Sequence, residues 1–93
     1  MNEEPLRRTL LIVNTRGLHA RASRKLAELA LTFDANVQVR KDDETADATS
    51  LMDLMMLGAG VGMTIQVEAE GSQAEDAMAA IAALVESGFG EKD

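Results

Sequence analysis

The chain contains no cysteine, which excludes disulfides, thiolate metal sites and thiol catalysis together. It has neither tryptophan nor tyrosine, and its only aromatics, Phe33 and Phe89, cannot build a platform for stacking bases. One histidine, His19, with no cysteine beside it leaves zinc short of ligands. Asp42-Asp43-Glu44 could attract calcium or magnesium weakly, but the spaced acids and central glycine of an EF-hand loop are missing. No metal and no cofactor is therefore expected. Positive charge is also scarce: nine Lys/Arg stand against sixteen Asp/Glu, a net charge of −7, which argues against nucleic acid as a standing partner. No apolar run approaches the roughly 20 residues that span a bilayer. Met1-Asn2-Glu3-Glu4-Pro5 lacks the basic-then-apolar layout of a signal peptide. The expectation is a soluble, cytoplasmic protein that binds neither nucleic acid nor membrane.

What is present suits one small folded domain over residues 1–93, with 46% hydrophobic residues. Thr9-Leu10-Leu11-Ile12-Val13 is a short branched apolar run and reads as a strand. After Gly17, Leu18, Ala22, Leu26, Leu29, Ala30 and Phe33 recur at three- and four-residue steps, predicting an amphipathic helix. Val37 and Val39 alternate with polar neighbours in a second strand, Lys41-Asp42-Asp43-Glu44 makes a charged turn, and Thr45–Ala48 forms a short return strand. Ser50-x-x-Asp53 opens a helix over Leu51–Leu57 that ends at Gly58. Met63, Ile65, Val67 and Ala69 alternate in a fourth strand. Ser72-x-x-Glu75 reads as a capping box for a last helix, buried along Ala77, Ile81, Leu84 and Val85 and stopped by Gly88. The order is β-α-β-β-α-β-α. Strict alternation buries one face of each strand, so the fold class is α+β: an open-faced sandwich of a mostly antiparallel four-stranded sheet with three helices on one side.

Six of the nine Lys/Arg fall in the first 25 residues, around His19. A helix N-terminus carries about half a positive charge and several unpaired N–H groups. That field binds phosphate oxygens and disfavours a protonated imidazole. An uncharged ring has a free nitrogen that can attack phosphorus without a general base, and the Arg21 guanidinium can then hold phosphoryl oxygens. Phosphoryl transfer depends mainly on positioning and charge, so a small protein can take part in it. Taken from spacing alone, a lone histidine at a helix start is more often a cap or a solvated residue, and Arg21, Arg24 and Lys25 a solvated face.

Gly17-Leu18-His19-Ala20-Arg21 resembles the active-site signature of HPr, the histidine-containing phosphocarrier of the bacterial phosphoenolpyruvate-dependent phosphotransferase system. Ser50-Leu51-Met52, followed by Leu57-Gly58, resembles the second signature of that family, and the gap between His19 and Ser50 matches without insertion. The resemblance implies that His19 would receive a phosphoryl group from enzyme I, with Arg21 beside it, and pass it to a downstream EIIA-type acceptor. That acceptor is either a sugar-permease component or a regulatory protein of the nitrogen-related branch. The chain would be a phosphoryl carrier rather than a turnover enzyme. Ser50 would be a regulatory serine, a target of an HPr kinase/phosphorylase, although simple N-capping explains it equally well. The helix from Leu51 cannot bury all its apolar residues. Leu51, Met52, Met55 and Met56, with Ala20 and Arg24, would dock partners, and methionine repacks readily against different surfaces. Met52 and Met55 are the first choices for outward-facing contacts. A carrier that shows one surface to several partners in turn is expected to be a monomer.

One departure stands out: the family usually has proline directly after the active-site arginine, and Ala22 stands there. Alanine favours the helix but does not preset φ as proline does. The competing reading is a non-catalytic regulatory module that binds partner proteins without covalent chemistry.

Overall fold

A computed structural model describes residues 4–91. Met1–Glu3, which belong to the N-terminal stretch read against a signal peptide, lie outside the described residues, as do Lys92 and Asp93. The elements run β1 (Leu6–Leu11), α1 (Ala20–Leu31), β2 (Asn36–Lys41), β3 (Glu44–Asp47), α2 (Leu51–Met56), β4 (Thr64–Glu70) and α3 (Ala74–Glu86), with a short 3-10 turn over Gly88–Gly90. The four strands lie in the order β1-β4-β2-β3, and every pair is antiparallel. This is the expected α+β open-faced sandwich.

The two-residue period of the strands decides which face is covered. Leu10, Val37, Val39, Ala46, Ile65, Val67 and Ala69 all point inward and are buried. On the opposite face, register brings Thr9, Gln66, Arg40 and Thr45 into one polar row across the sheet. The inward face is covered by the helices: Ala22, Leu26 and Ala30 of α1, Leu54 of α2, and Ala77, Ile81 and Val85 of α3 join the same core. Phe89, fully buried, closes it at the end of the chain. Burial of this kind stabilises by roughly 25 cal/mol per Å² of apolar surface removed from water. Among the described residues no helix is long and apolar enough to cross a membrane.

Three local expectations need correction. β1 begins at Leu6 rather than Thr9, because Arg7 and Arg8 fit the ladder opposite Glu68 and Val67, with the Arg7 Nε donating to the Glu68 carboxylate at 3.2 Å. Ile12 leaves the strand yet stays bound, its N–H donating to the Met63 carbonyl at 2.9 Å. Met63 lies before β4 and is exposed rather than part of the buried stripe. The Ser72 capping box does not form either. The cap position of α3 is Gln73, with no side-chain cap bond, because the Ser72 hydroxyl donates to the Asp34 carboxylate. Gln73 serves the same loop, its Oε1 accepting from the Asp34 N–H at 2.7 Å. A tertiary partner has taken the hydroxyl from its local role.

Candidate functional site: a histidine capping a helix

The loop from Asn14 to Leu18 is shaped by one glycine. Gly17 has φ +62°, in the left-handed region, and a Cβ built there would lie 2.3 Å from the Ala59 carbonyl oxygen. Only glycine lets the two backbones meet this closely. The approach is then fastened by the Leu18 N–H, which donates to that same carbonyl at 2.9 Å. Thus the segment after α2 supports the segment before α1.

His19 follows in extended backbone (φ −72°, ψ 179°) and is the N-cap of α1. Its carbonyl accepts the first helical bond, from the Ser23 N–H at 2.9 Å. Its ring nitrogen Nδ1 accepts from the Arg21 N–H at 3.2 Å, satisfying one of the unpaired donors of the helix start. The other ring nitrogen, Nε2, meets the Glu91 carboxylate. An ionised carboxylate only accepts hydrogen bonds, so the hydrogen sits on Nε2 and the lone pair on Nδ1. The ring is about one-fifth exposed, neither sealed in nor fully solvated.

The first turn of α1 contains no acidic residue. Arg21 and Arg24 are exposed there, and the Arg21 guanidinium enters none of the ion pairs found among the described residues. Arg24 reaches Glu28 at 3.3 Å, an exposed pair of little energetic weight. The Nδ1 lone pair thus lies at the positive end of the helix dipole, on a backbone N–H of the first turn, with Arg21 exposed in that same turn. A surface depression of about 720 Å³ elsewhere, lined by Phe33, Asp34, Asp47 and Gly71 among others, contains none of the expected site residues.

Residues 6–87 match the family model described as the PTS HPr component phosphorylation site. The chain belongs to the HPr family of phosphocarriers. Among curated relatives it is 44% identical to phosphocarrier protein HPr of Cupriavidus necator over 86 residues, covering 92% of this chain and 97% of the relative. It is 47% identical to phosphocarrier protein NPr of Escherichia coli over 87 residues, covering 92% and 97%. The crystal structure of HPr-C-His from Thermoanaerobacter tengcongensis superposes with a TM-score of 0.90 at 36% identity, covering 95% of this chain and 99% of that one. HPr from Bacillus anthracis gives 0.85 at 34% identity, covering 89% and 99%.

The segment that resembles a second HPr-family signature lies at the start of α2. Ser50 is its N-cap, and its hydroxyl accepts from the Asp53 N–H at 3.2 Å. Leu54 is the one buried residue of α2. Leu51, Met52, Met55 and Met56 are all exposed, and Met56, at 74%, stands further out than the favoured Met55 at 38%. Ala20 is exposed as well, in the first turn of α1. The two helices pack against each other, although no hydrogen bond joins Ser50 to His19 among the described residues. Ala22, which stands where the resemblance leads one to expect proline, is fully buried.

Sequence reasoning missed Asn14 and Glu91, both in contact with this ring or its neighbours. Asn14 is buried, and its Nδ2 donates to the Gly17 carbonyl at 2.9 Å and to Glu91 Oε1 at 3.0 Å. An asparagine ending the first apolar run, three residues before a glycine, was the one available signal for the first. Glu91 lies 72 residues from His19 in sequence, and no local pattern marks it.

Proposed function

We propose that this HPr-family chain, a single domain over residues 1–93, is a cytoplasmic phosphocarrier. The Nδ1 of His19 takes a phosphoryl group from phosphorylated enzyme I and passes it to a downstream EIIA-type acceptor, a sugar-permease or regulatory component. The observation that carries this reading is the Nδ1 lone pair, held at the start of α1 by the Arg21 N–H at 3.2 Å. That bond is at the long end of the hydrogen-bond range, so phosphorus can displace it. The released N–H, its neighbours in the first turn and the Arg21 guanidinium then face the phosphoryl oxygens. Transfer in either direction is an in-line exchange at phosphorus that needs placement more than proton chemistry. The exposed residues Leu51, Met52, Met55 and Met56, with Ala20 and Arg24, form the docking surface for donor and acceptor, and the carrier works as a monomer. Phosphorylation of Ser50 by an HPr kinase/phosphorylase adds nearly two negative charges on that surface, which repels acidic partners or recruits new ones.

Incubation with cognate enzyme I and phosphoenolpyruvate tests this. The wild type gains an acid-labile, base-stable phosphate, and His19→Ala gains none. An unlabelled wild type, or a His19→Ala variant still labelled, overturns the reading in favour of a non-catalytic binding module. Phosphate on Ser50 is acid-stable and requires ATP with the cognate kinase; its absence there removes the regulatory role alone.

A further inference from the structure

The segment after α3 is built to deliver one carboxylate to His19. Gly88, Phe89 and Gly90 follow one another at φ +69°, +59° and +70°. For glycine this conformation is free, but for phenylalanine it carries strain. The strain is held by burial: the Phe89 side chain is fully enclosed. Lys25 of α1 adds a clamp, its Nζ donating to the Phe89 carbonyl at 2.7 Å. Two residues further on, the Glu91 carboxylate is gripped from both sides, Oε1 by Asn14 Nδ2 at 3.0 Å and Oε2 by His19 Nε2. Asn14 spends both its amide hydrogens, on Glu91 and on the Gly17 carbonyl, while its Oδ1 stays buried without a partner among the described residues. Leaving a buried carbonyl unpaired costs free energy. The amide accepts that cost to hold the carboxylate in place.

We propose that Glu91 is a positioning residue for phosphoryl transfer at His19, acting through its contact with Nε2. The inference rests on the reading of His19 as the phosphoryl acceptor. The Arg21 N–H holds one ring nitrogen and Glu91 the other, so the ring cannot turn over and the lone pair stays on Nδ1. In the forward step the Nδ1 lone pair forms the N–P bond, and the donor's bond to phosphorus breaks with its electron pair returning to the donor. Nε2 keeps its hydrogen, so the ring becomes a phosphoimidazolium carrying one positive charge, which the facing carboxylate stabilises. On delivery, the N–P electrons return to Nδ1 and the neutral ring is restored. No proton enters or leaves. Glu91 lies on the Nε2 side, so it does not occupy the place where phosphorus arrives, and an inhibitory plug is the poorer description.

The test uses the full chain with nitrogen-15-labelled histidine and the variants Glu91→Gln and Glu91→Asp. In the wild type, ring spectra taken without donor show the hydrogen on Nε2, low-field and slow to exchange. Glu91→Gln loses that signal, and its single-turnover phosphorylation slows about tenfold, the scale of one charge-assisted hydrogen bond. Glu91→Asp recovers part of both. Unfolding midpoints close to that of the wild type show that the fold is intact. An unchanged ring signal and rate in Glu91→Gln, or a faster rate, overturns the proposal. A wild type that takes no phosphoryl at His19 overturns the function proposed above instead, and the donor-free ring signal still decides whether Glu91 holds Nε2.

Discussion

Two helices in this molecule begin with a side chain that accepts a backbone N–H, and they do so in opposite chemical settings. α1 is capped by His19, with Nδ1 on the Arg21 N–H, and α2 by Ser50, with Oγ on the Asp53 N–H, both at 3.2 Å. Serine is among the strongest caps and histidine is not. α2 carries an acid, Asp53, in its first turn, where the dipole favours it. α1 carries none, only Arg21 and Arg24. The first turn of α2 is therefore already compensated, while that of α1 retains unspent positive potential. A capping site tuned for stability would look like Ser50. On the proposed function, the start of α1 forgoes that stability and keeps its field for an incoming anion.

The sharpest way to break this contrast is at Gly17, which sets the approach to α1 and has no counterpart before α2. Gly17→Ala forces a Cβ to within 2.3 Å of the Ala59 carbonyl oxygen, at φ +62°. The left-handed conformation alone costs an alanine about 1 kcal/mol, and moving one backbone off the other brings the loss to roughly 3 kcal/mol or more. Chemical denaturation should show this as a lowered midpoint. Because the shift displaces the cap itself, labelling of His19 should fall even in the fraction that remains folded. A midpoint within error of the wild type would mean that the α2–β4 loop yields freely and does not support the histidine.

Much of this was legible because it is local. Ile65, Val67 and Ala69 reveal their buried face by a two-residue period, and Leu18, Ala22, Leu26 and Ala30 reveal theirs by the helical one. Gly17 and His19 stand two residues apart, so the turn and the cap could be read together. Glu91 could not be read, because its contact with His19 spans 72 residues and leaves no periodic trace. Phe89 was obscure for another reason: an aromatic between two glycines looks like a turn, and only the folded chain shows it as a buried anchor. Ser72 misled because its sequence fits a capping box, while Asp34, brought close only by folding, claims the hydroxyl.

Ser50 gives the second, smaller test. Ser50→Ala removes the bond to the Asp53 N–H and should lower stability by about 1 kcal/mol, the usual worth of such a cap. Ser50→Asp should restore most of it, since aspartate caps equally well and its charge suits the helix start. The two variants then separate capping from docking. If α2 receives partners, Ser50→Asp slows phosphoryl transfer to His19 despite its recovered stability, whereas Ser50→Ala transfers at close to the wild-type rate. Equal rates in both variants would confine Ser50 to its structural role.

The smallest effect comes from Asp47, one turn ahead of the Ser50 cap. Its Oδ1 accepts from the Thr49 N–H at 2.9 Å and from the Thr49 hydroxyl at 2.7 Å. These bonds, the backbone one foremost, hold the carboxyl below the usual aspartate range, with slight burial opposing them. The unfolded chain therefore binds the proton more readily than the folded one, and stability rises with pH through this window. The contribution is complete above the ordinary aspartate value near pH 4 and disappears as pH falls through the lower folded value. Asp47 is solvent-exposed, so screening limits the gain to about 0.5 kcal/mol or less. Denaturation of wild type and Asp47→Asn should differ by that amount at about pH 6, and the difference should shrink as pH falls below the ordinary aspartate value. A difference that persists in acid would assign the loss to the hydrogen-bond geometry rather than to charge. Convergence would show that α2 is prepared by a negative charge on both sides of its cap, the reverse of the basic setting around His19.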